Sequence, residues 1–306
     1  MAQDILKLAE DYTVATDEVE IVLGEPMREH TSFQLGGSAR VFVRPYSEEA
    51  LSIGLKLCAL QELPVYILGK GTNLLVSDSG VDGVVFDMTG MNEWHIEGTK
   101  LYAEAGALLR NVAKGAAEES LSGLEFAHGI PGSVGGAVCM NAGAFGGEMK
   151  DVLERVRLMD RMGNVREVPA DQLEMGYRRT RIEESGDIVL AAVFSLTPGE
   201  KEAILGKMRE IGDKRRANQP LNTRNAGSTF KRPEGNFAGK LIDECGLKGF
   251  AIGGASVSDK HAGFVVQDGR ASAKDVMAVC REVSRIVEEK TGVRLEMEVR
   301  TWGRFE

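Results

Sequence analysis

The chain has few of the residues that build metal centres and disulfide frameworks. Its 306 residues include four cysteines, at positions 58, 139, 245 and 280, and four histidines, all scattered along the sequence. No Cys-x-x-Cys pair occurs, so neither a set of disulfides nor a zinc site is indicated. We therefore expect reduced thiols, no bound metal and a cytoplasmic location.

Clusters of basic residues and long apolar runs are also missing. Lysine and arginine total 37 against 46 aspartates and glutamates, a formal charge of −9, and there is no basic arm of the kind that binds nucleic acid. Residues 137–145 are the longest weakly polar stretch, too short to cross a bilayer. Asp4 and Glu10 argue against a secretion signal at the start of the chain. We expect a monomer that binds neither nucleic acid nor a membrane.

Hydrophobic periodicity predicts a mixture of helices and strands. Residues 1 to about 24 are predicted to form a helical lead-in, and residues 155–169 a hairpin that turns at positions 163–164. Strands are predicted at 39–44, 65–68, 84–88, 100–105 and 188–196, near 251 and 263, and at 293–299. Helices are predicted at about 47–61, 107–121, 200–216 and 272–290. This alternation indicates α/β or α+β packing.

Two glycine-containing loops lie in the first 200 residues. The first, Gly69–Asn73, follows a buried strand, and the second, residues 129–147, holds seven glycines among 19 residues. Glycine lets backbone N–H groups approach a phosphate closely, and two such loops suit a ligand with a pyrophosphate centre. The first loop, taken alone, is better explained as a tight turn. It is neither a Walker A motif, because residue 64 is proline, nor a Rossmann fingerprint, because Leu74 stands where the third glycine belongs.

Five motifs occur in a specific order. They are GKGTNLL at 69–75, GIPGSVGGA at 129–137 with NAGA at 141–144, GYR at 176–178, NAGSTFK at 225–231 with a proline at 233, and LEMEVR at 295–300. Together they resemble the motifs of the UDP-N-acetylenolpyruvoylglucosamine reductase family over roughly residues 29–303. Any one of them alone is weak, and the ordered set is highly specific.

The resemblance implies an α+β fold with a defined division of the chain. Residues 1–98 and 99–200 would form two FAD-binding subdomains of the vanillyl-alcohol-oxidase type. Residues 201–306 would form an α/β substrate-binding domain with a returning C-terminal strand. Thr180 and Ile182 depart from a Tyr-Arg-x-Ser-x-Phe pattern found in some members. The chain resembles the shorter subclass of the family, which lacks an additional tyrosine-bearing loop.

The resemblance also implies an activity and its cofactors. NADPH would reduce a non-covalently bound FAD and leave. UDP-N-acetylglucosamine carrying an enolpyruvyl ether would then be reduced to UDP-N-acetylmuramate, a precursor of peptidoglycan. The residues that would bind FAD are Gly69, Lys70, Gly71, Thr72, Asn73, Leu74, Gly129, Ile130, Pro131, Gly132, Ser133, Gly135, Gly136, Ala137, Asn141, Ala142 and Gly143.

Three residues are implied in catalysis by the same resemblance. Hydride addition to an enolpyruvyl methylene leaves negative charge on the neighbouring carbon and its carboxylate. The site therefore needs cationic or hydrogen-bond donor groups that stabilise this charge, and a group that donates a proton to the carbon. Arg178 would lie near the substrate carboxylate, which its fork can bind through both oxygens. Glu298 would share that carboxylate, and Ser228 would deliver the proton to carbon. In addition, Tyr177, Arg224, Lys231 and Arg232 would contact substrate, the cations through its diphosphate.

Each of these residues has an ordinary explanation when it is taken alone. Ser228 follows a glycine and is typical of a turn. Residues 293–299 alternate like a half-buried strand with a charged outer face, and solvated loops account equally well for the basic residues. Only the joint pattern favours catalysis. We choose Glu298 over Glu296 because Glu298 precedes Val-Arg, as in the family motif.

Two other functions compete with this interpretation. The first is an FAD-dependent oxidase of the same fold that acts on an alcohol or a sugar and uses oxygen. The second is a protein that binds a sugar nucleotide without redox chemistry. A flavin spectrum that NADPH bleaches would distinguish the reductase from both.

Overall fold

A computed structural model describes residues 2–305 of the chain, so residue 1 of the predicted helical lead-in lies outside the described part. The helices are α1 (Ala2–Ala15), α2 (Glu48–Leu60), α3 (Leu109–Glu118), α4 (Val134–Cys139), α5 (Arg181–Ser185), α6 (Lys201–Asn218), α7 (Ala238–Glu244) and α8 (Ala273–Thr291). The strands are β1 (Val19–Leu23), β2 (Ala39–Pro45), β3 (Val65–Leu68), β4 (Leu74–Val76), β5 (Val81–Asp87), β6 (Trp94–Glu97), β7 (Lys100–Glu104), β8 (Leu121–Ser122), β9 (Gly143–Ala144), β10 (Gly147–Glu148), β11 (Leu153–Met159), β12 (Val165–Pro169), β13 (Ile188–Ser195), β14 (Thr197–Pro198), β15 (Ala251–Ile252), β16 (Ala255–Val257), β17 (Val265–Gln267) and β18 (Arg300–Trp302). This mixed content confirms the predicted α+β class.

The chain divides into two compact units, each built from three segments. Unit 1 comprises Met1–Leu23, Val41–Lys70 and Gly83–Lys214, and unit 2 comprises Gly24–Arg40, Gly71–Asp82 and Arg215–Glu306. Each unit has a hydrophobic core of its own. The division that the sequence predicts at residues 98 and 200 stays a prediction.

Unit 1 contains two larger sheets. One has the strand order β1-β2-β5-β3, in which β1 and β2 are antiparallel and β3 and β5 are parallel. The other is the antiparallel order β12-β11-β13-β7-β6. The short helix α4 packs on β13 and β7 of this second sheet. The sheet therefore fixes the short helix that lies within the second glycine loop, residues 129–147.

Helix α2 of unit 1 begins at a capping residue. Ser47 accepts a hydrogen bond from the Ala50 backbone N–H (3.1 Å) and caps α2, which is predicted to begin at about residue 47. Tyr12 of α1 is fully buried, and its hydroxyl donates to the Ala50 carbonyl at 2.5 Å. Because Gly54 has no side chain, the Tyr12 ring can lie directly against α2. The N-terminal helix is thus attached to α2.

Unit 2 joins distant parts of the chain. Helix α8 packs on the β15-β16-β17 sheet and on α7, and its capping box, Ser272 with Asp275, confirms the predicted start. Strand β18 pairs in parallel with β4, with Arg300 opposite Leu74. The core of this unit includes Phe33 and Leu75 as well as residues from the last third of the chain.

Two predicted elements are wrong in detail. The helical lead-in ends at Ala15, because Val19–Leu23 forms strand β1 and pairs with β2. Residues 293–299 do not form a regular strand. They make one isolated bridge, Met297 to Phe230, and regular pairing begins only at Arg300. Leu295 and Val299 are nevertheless buried, so the predicted alternation of burial is present.

Within the described residues, no helix combines the length and hydrophobicity that a membrane span needs. In the same part of the chain, no three His, Cys, Asp or Glu side chains are grouped so that they could hold a metal ion.

Candidate functional site

The two glycine loops meet in unit 1. Gly69 follows the last residue of β3, and a Cβ placed on it would lie 2.5 Å from the Ser133 Oγ, which belongs to the second loop. A Cβ at position 69 would therefore displace the Ser133 hydroxyl from its observed position. The structure brings together two segments that lie some 60 residues apart in the sequence, as a bound pyrophosphate would require.

The Ser133 hydroxyl has no protein partner. Ser133 is 1% exposed, and no described residue satisfies the buried Ser133 Oγ or the buried His128 Nδ1 by a hydrogen bond. A buried polar group without a partner is destabilising. A ligand that hydrogen-bonds to these atoms would remove that cost. His128 carries no sequence signal beyond its position before the loop, so sequence reasoning missed it.

Gly135 and Gly136 are adjacent but have different surroundings. A Cβ at Gly135 would lie 2.8 Å from the Ala105 Cβ, whereas a Cβ at the exposed Gly136 would meet only the Ser133 Oγ at 3.6 Å. The Gly135 N–H donates to the Ala105 carbonyl at 2.8 Å. Gly135 therefore allows α4 to lie against the end of β7, and Gly136 leaves an open surface that a ligand can approach.

The other residues of the second loop serve mainly to fix its path. The Gly132 N–H donates to the Ile130 carbonyl and the Gly132 carbonyl accepts from the Leu109 N–H, both at 3.0 Å. Ala137 and Ala142 are buried, and Pro131 is exposed. Gly129 and Gly143 are half-buried.

The second half of the first loop belongs to unit 2. Gly71 has φ +62°, and a Cβ there would collide with the His30 carbonyl oxygen. Thr72 is half-buried, and Leu74 is a buried residue of β4. The Asn73 amide donates to the Glu298 carbonyl at 3.0 Å. Lys70, in unit 1, is exposed.

Arg178 lies in a tight turn of unit 1. Gly176 and Arg179 exchange two backbone hydrogen bonds, of 2.9 and 3.3 Å, and enclose Tyr177 and Arg178. Arg178 has φ +54°, a conformation uncommon for residues other than glycine. Its Nη2 donates to the Gly143 carbonyl at 3.3 Å, and its guanidinium lies 5.2 Å from the centre of the half-exposed Tyr177 ring.

A buried polar network borders this turn. Asn141 is fully buried and its amide contacts Glu148 and Gly176. The Lys150 ammonium lies 2.8 Å from the Glu148 carboxylate. This hydrogen bond lowers the pKa of the Glu148 carboxyl, and the Asn141 amide and the Arg178 charge lower it further. Glu148 is a second residue that sequence reasoning missed.

Ser228 and Glu298 lie in two segments of unit 2 that are joined by backbone hydrogen bonds. The Glu298 N–H donates to the Thr229 carbonyl at 2.8 Å. Two further hydrogen bonds hold Thr229 in place. Its N–H donates to the Gly263 carbonyl (2.8 Å), and its Oγ1 accepts from the Val265 N–H (2.9 Å). Ser228 is exposed and Glu298 is half-buried. The structure thus brings Ser228 and Glu298 into one scaffold, and Arg178 belongs to the other unit.

The predicted diphosphate ligands have varied partners. The Lys231 ammonium lies 3.4 Å from the Glu296 carboxylate. The Arg232 guanidinium lies 4.6 Å from the centre of the Phe237 ring. The Arg224 carbonyl accepts a hydrogen bond from the Gln267 N–H at 3.1 Å. Arg224 itself is exposed. All three belong to unit 2.

Two family models match the chain. The FAD binding domain model matches residues 39–169, which include both glycine loops. The model for the C-terminal domain of UDP-N-acetylenolpyruvoylglucosamine reductase matches residues 219–302, which include Ser228 and Glu298.

Individual proteins match over nearly the whole chain. The UDP-N-acetylenolpyruvoylglucosamine reductase of Clostridium perfringens strain SM101 is 47% identical over 288 residues, 94% of this chain and 95% of the relative. The enzyme of that name from Clostridioides difficile strain 630 is 47% identical over 93% of this chain and 94% of its own length. The crystal structure of the corresponding enzyme from Thermus caldophilus has a TM-score of 0.79 at 38% identity, over 93% of this chain and 99% of that one.

Proposed function

The chain belongs to the UDP-N-acetylenolpyruvoylglucosamine reductase family, and we propose that Arg178, Ser228 and Glu298 carry its reaction. The protein is an FAD-dependent oxidoreductase that reduces UDP-N-acetylenolpyruvoylglucosamine with NADPH as co-substrate. These relatives support the reductase prediction and not the alternative of an oxidase.

The second glycine loop fits FAD. The partnerless Ser133 hydroxyl offers a hydrogen bond to a ligand oxygen, and the absence of a side chain at Gly136 lets a phosphate approach the first turn of α4. Gly69 permits the contact between the loops. Bound FAD would supply the chemistry of hydride transfer between the nicotinamide and the enolpyruvyl double bond.

Arg178 would hold the carboxylate of the enolpyruvyl group. Charge develops on this carboxylate as hydride adds to the methylene carbon, so a fixed cation there stabilises the transition state more than the bound substrate. The turn supports this role, because it holds Arg178 at a positive φ that only a well-determined surrounding sustains.

Ser228 would supply the proton and Glu298 would complete the contact with the substrate. The proton adds to the carbon beside the carboxylate, and hydride plus proton together saturate the double bond. Ser228 is exposed. The position of its backbone is fixed by the hydrogen bonds of the next residue, Thr229. The same backbone holds Glu298 through the bond from its N–H to the Thr229 carbonyl.

Substrate diphosphate would be bound by Arg224, Lys231 and Arg232. All three stand near Ser228 in the sequence, and their charge suits an anionic ligand. Tyr177 would contribute its half-exposed ring beside Arg178. We place the enzyme in the cytoplasm as a monomer that supplies a peptidoglycan precursor.

A Ser228→Ala variant tests the proposal. It should bind FAD and be bleached by NADPH at a near-normal rate. It should then be reoxidised by UDP-N-acetylenolpyruvoylglucosamine about 10²- to 10⁴-fold more slowly, the usual contribution of a positioned proton donor. Rapid-mixing absorbance at the flavin band separates these two half-reactions. Ser228→Cys should recover part of the rate, because a thiol also donates a proton.

A matched control is Ser256→Ala, on strand β16 of the same unit, which should leave both half-reactions unchanged. Reoxidation of Ser228→Ala as fast as that of the parent enzyme would remove Ser228 from the mechanism.

A further inference from the structure

Asn141 occupies a position where an ordinary side chain would be strained. It lies between the end of α4 and the start of β9, its side chain is fully buried, and its φ is +44°. Asparagine tolerates this left-handed region better than most residues because its short amide can hydrogen-bond locally. The conformation costs free energy that the surrounding contacts must offset.

Both donors of the Asn141 amide are engaged by the protein. The Nδ2 donates to the Glu148 Oε2 and to the Gly176 carbonyl, each at 2.9 Å. The Oδ1 accepts from the Lys150 N–H at 3.0 Å. A backbone N–H can only donate, so the amide orientation is fixed by Lys150. With two donors in all, the Asn141 amide has none left, so the contact with FAD predicted for this residue would not come from its side-chain donors.

These contacts connect Asn141 to the turn that carries Arg178. Gly176 opens that turn and exchanges both of its backbone hydrogen bonds with Arg179. The bond from Asn141 to the Gly176 carbonyl therefore fixes the turn from its first residue.

The other side of Asn141 supports the hairpin that receives the Arg178 guanidinium. Glu148 pairs with Gly143 across strands β9 and β10, and the Gly143 carbonyl accepts the hydrogen bond from the Arg178 Nη2. Thus one amide holds both the backbone of Arg178 and the hairpin that its side chain contacts. The negative charge of Glu148 is close enough to Arg178 to attract it.

We propose that Asn141 is a positioning residue for Arg178, which it fixes through the Gly176 carbonyl and Glu148 before substrate binds. The inference rests on the proposed role of Arg178 in binding the substrate carboxylate. A guanidinium held in place in advance needs no reorganisation during the reaction. Loss of the amide should therefore affect the enolpyruvyl half-reaction and leave the nicotinamide half-reaction intact.

Two variants separate the amide from the backbone conformation. Asn141→Gly keeps a residue that accepts positive φ and removes the amide. Asn141→Asp keeps the shape and replaces the donor by an oxygen that faces the Glu148 carboxylate and the Gly176 carbonyl. Asn164→Asp is the control, because its amide closes the β11–β12 turn by bonding Asp160; it should match the parent enzyme.

We expect both Asn141 variants to retain FAD and to be reduced by NADPH at the parent rate. Reoxidation by UDP-N-acetylenolpyruvoylglucosamine should slow about 10- to 100-fold, the effect of a small misplacement of a binding group. Calorimetric titration of the oxidised variants should show weaker substrate binding. Equal losses in both half-reactions would show a merely structural role and overturn the inference.

A double-mutant cycle with Arg178→Ala decides whether Asn141 acts through Arg178. On the Arg178→Ala background, Asn141→Gly should cause no further slowing, because residues that act together are not additive. Additive losses would overturn the inference while the role of Arg178 stood. A parent-like Arg178→Ala enzyme would instead remove the proposed function on which the inference rests. Should Asn141→Gly fail to fold, Asn141→Asp serves in the same cycle.

Discussion

Glu296 and Glu298 are separated by one residue, yet their surroundings differ. The Glu296 side chain is 72% exposed and pairs with the Lys231 ammonium. Glu298 is half-buried, and its backbone is held on both sides, by Thr229 and by the Asn73 amide. Sequence periodicity could not separate them, because residues two apart in an extended segment share a face. Long-range contacts from residues 73 and 229 make the distinction.

We expect Glu298 and not Glu296 to affect turnover. Glu298→Ala should slow reoxidation by the enolpyruvyl substrate about 10²-fold, as when one group that stabilises developing charge is removed. Glu298→Gln, which keeps a hydrogen-bond donor, should be milder. Stopped-flow absorbance measures both rates, with Glu296→Ala as the control. Full turnover by Glu298→Ala together with loss in Glu296→Ala would reverse the choice between the two glutamates.

The short helix α4 illustrates what a glycine pair does within an element. The sequence predicts that both Gly135 and Gly136 serve the ligand, but the structure assigns Gly135 to the close packing of α4 on β7. Of the two, only Gly136 is exposed. The pattern of glycines predicts that this segment has a functional role. It does not predict which glycine faces the sheet, because that depends on how the helix lies on β7.

Substitutions of the two glycines should therefore have different effects. Gly136→Val should give a folded protein that purifies without flavin, since the added side chain occupies the surface a phosphate would approach. Gly135→Val should lower the free energy of unfolding by about 1–3 kcal/mol or more, because the core against Ala105 is overpacked. Flavin absorbance and thermal unfolding of the flavin-free proteins measure the two effects. A fully flavinated, active Gly136→Val enzyme would contradict the cofactor site.

Elements with strong local signals could be predicted from the sequence and those defined by distant partners could not. Helices α2 and α8 begin at about the predicted positions, next to Ser47 and Ser272. Strand β1 was missed because its identity depends on pairing with β2. Residues 293–299 have the alternation of a strand, but extended residues become a strand only when a partner provides a ladder.

At the scale of the whole molecule, unit 2 includes residues from three separate parts of the chain. Its core contains Leu75, which is fully buried, together with Val279 and Val283 of α8. Composition and turn-forming residues such as glycine and proline can divide a sequence only into contiguous domains. The contribution of residues 71–82 to the core of the C-terminal unit is a matter of tertiary contact, and no local pattern reveals it.

Leu75→Ala should accordingly destabilise unit 2. Loss of a buried leucine costs about 2–5 kcal/mol, and hydrogen exchange of α8 should accelerate. Leu55→Ala, in the core of unit 1, is the matched control, and its effect should centre on α2. Exchange measured by mass spectrometry resolves the two regions. If Leu75→Ala left α8 as protected as in the parent protein, the assignment of residues 71–82 to unit 2 would be wrong.

The parallel pairing of β4 with β18 determines when β4 can pair during synthesis on the ribosome. Leu74 pairs with Arg300, so about 225 residues must be translated after one partner before the other exists. At about 5–20 residues per second, this takes roughly 10–45 s. During that interval the apolar segment Leu74–Val76 has no strand beside it. The nascent chain therefore displays an unpaired strand to chaperones and to neighbouring chains until residues 300–302 have been synthesised.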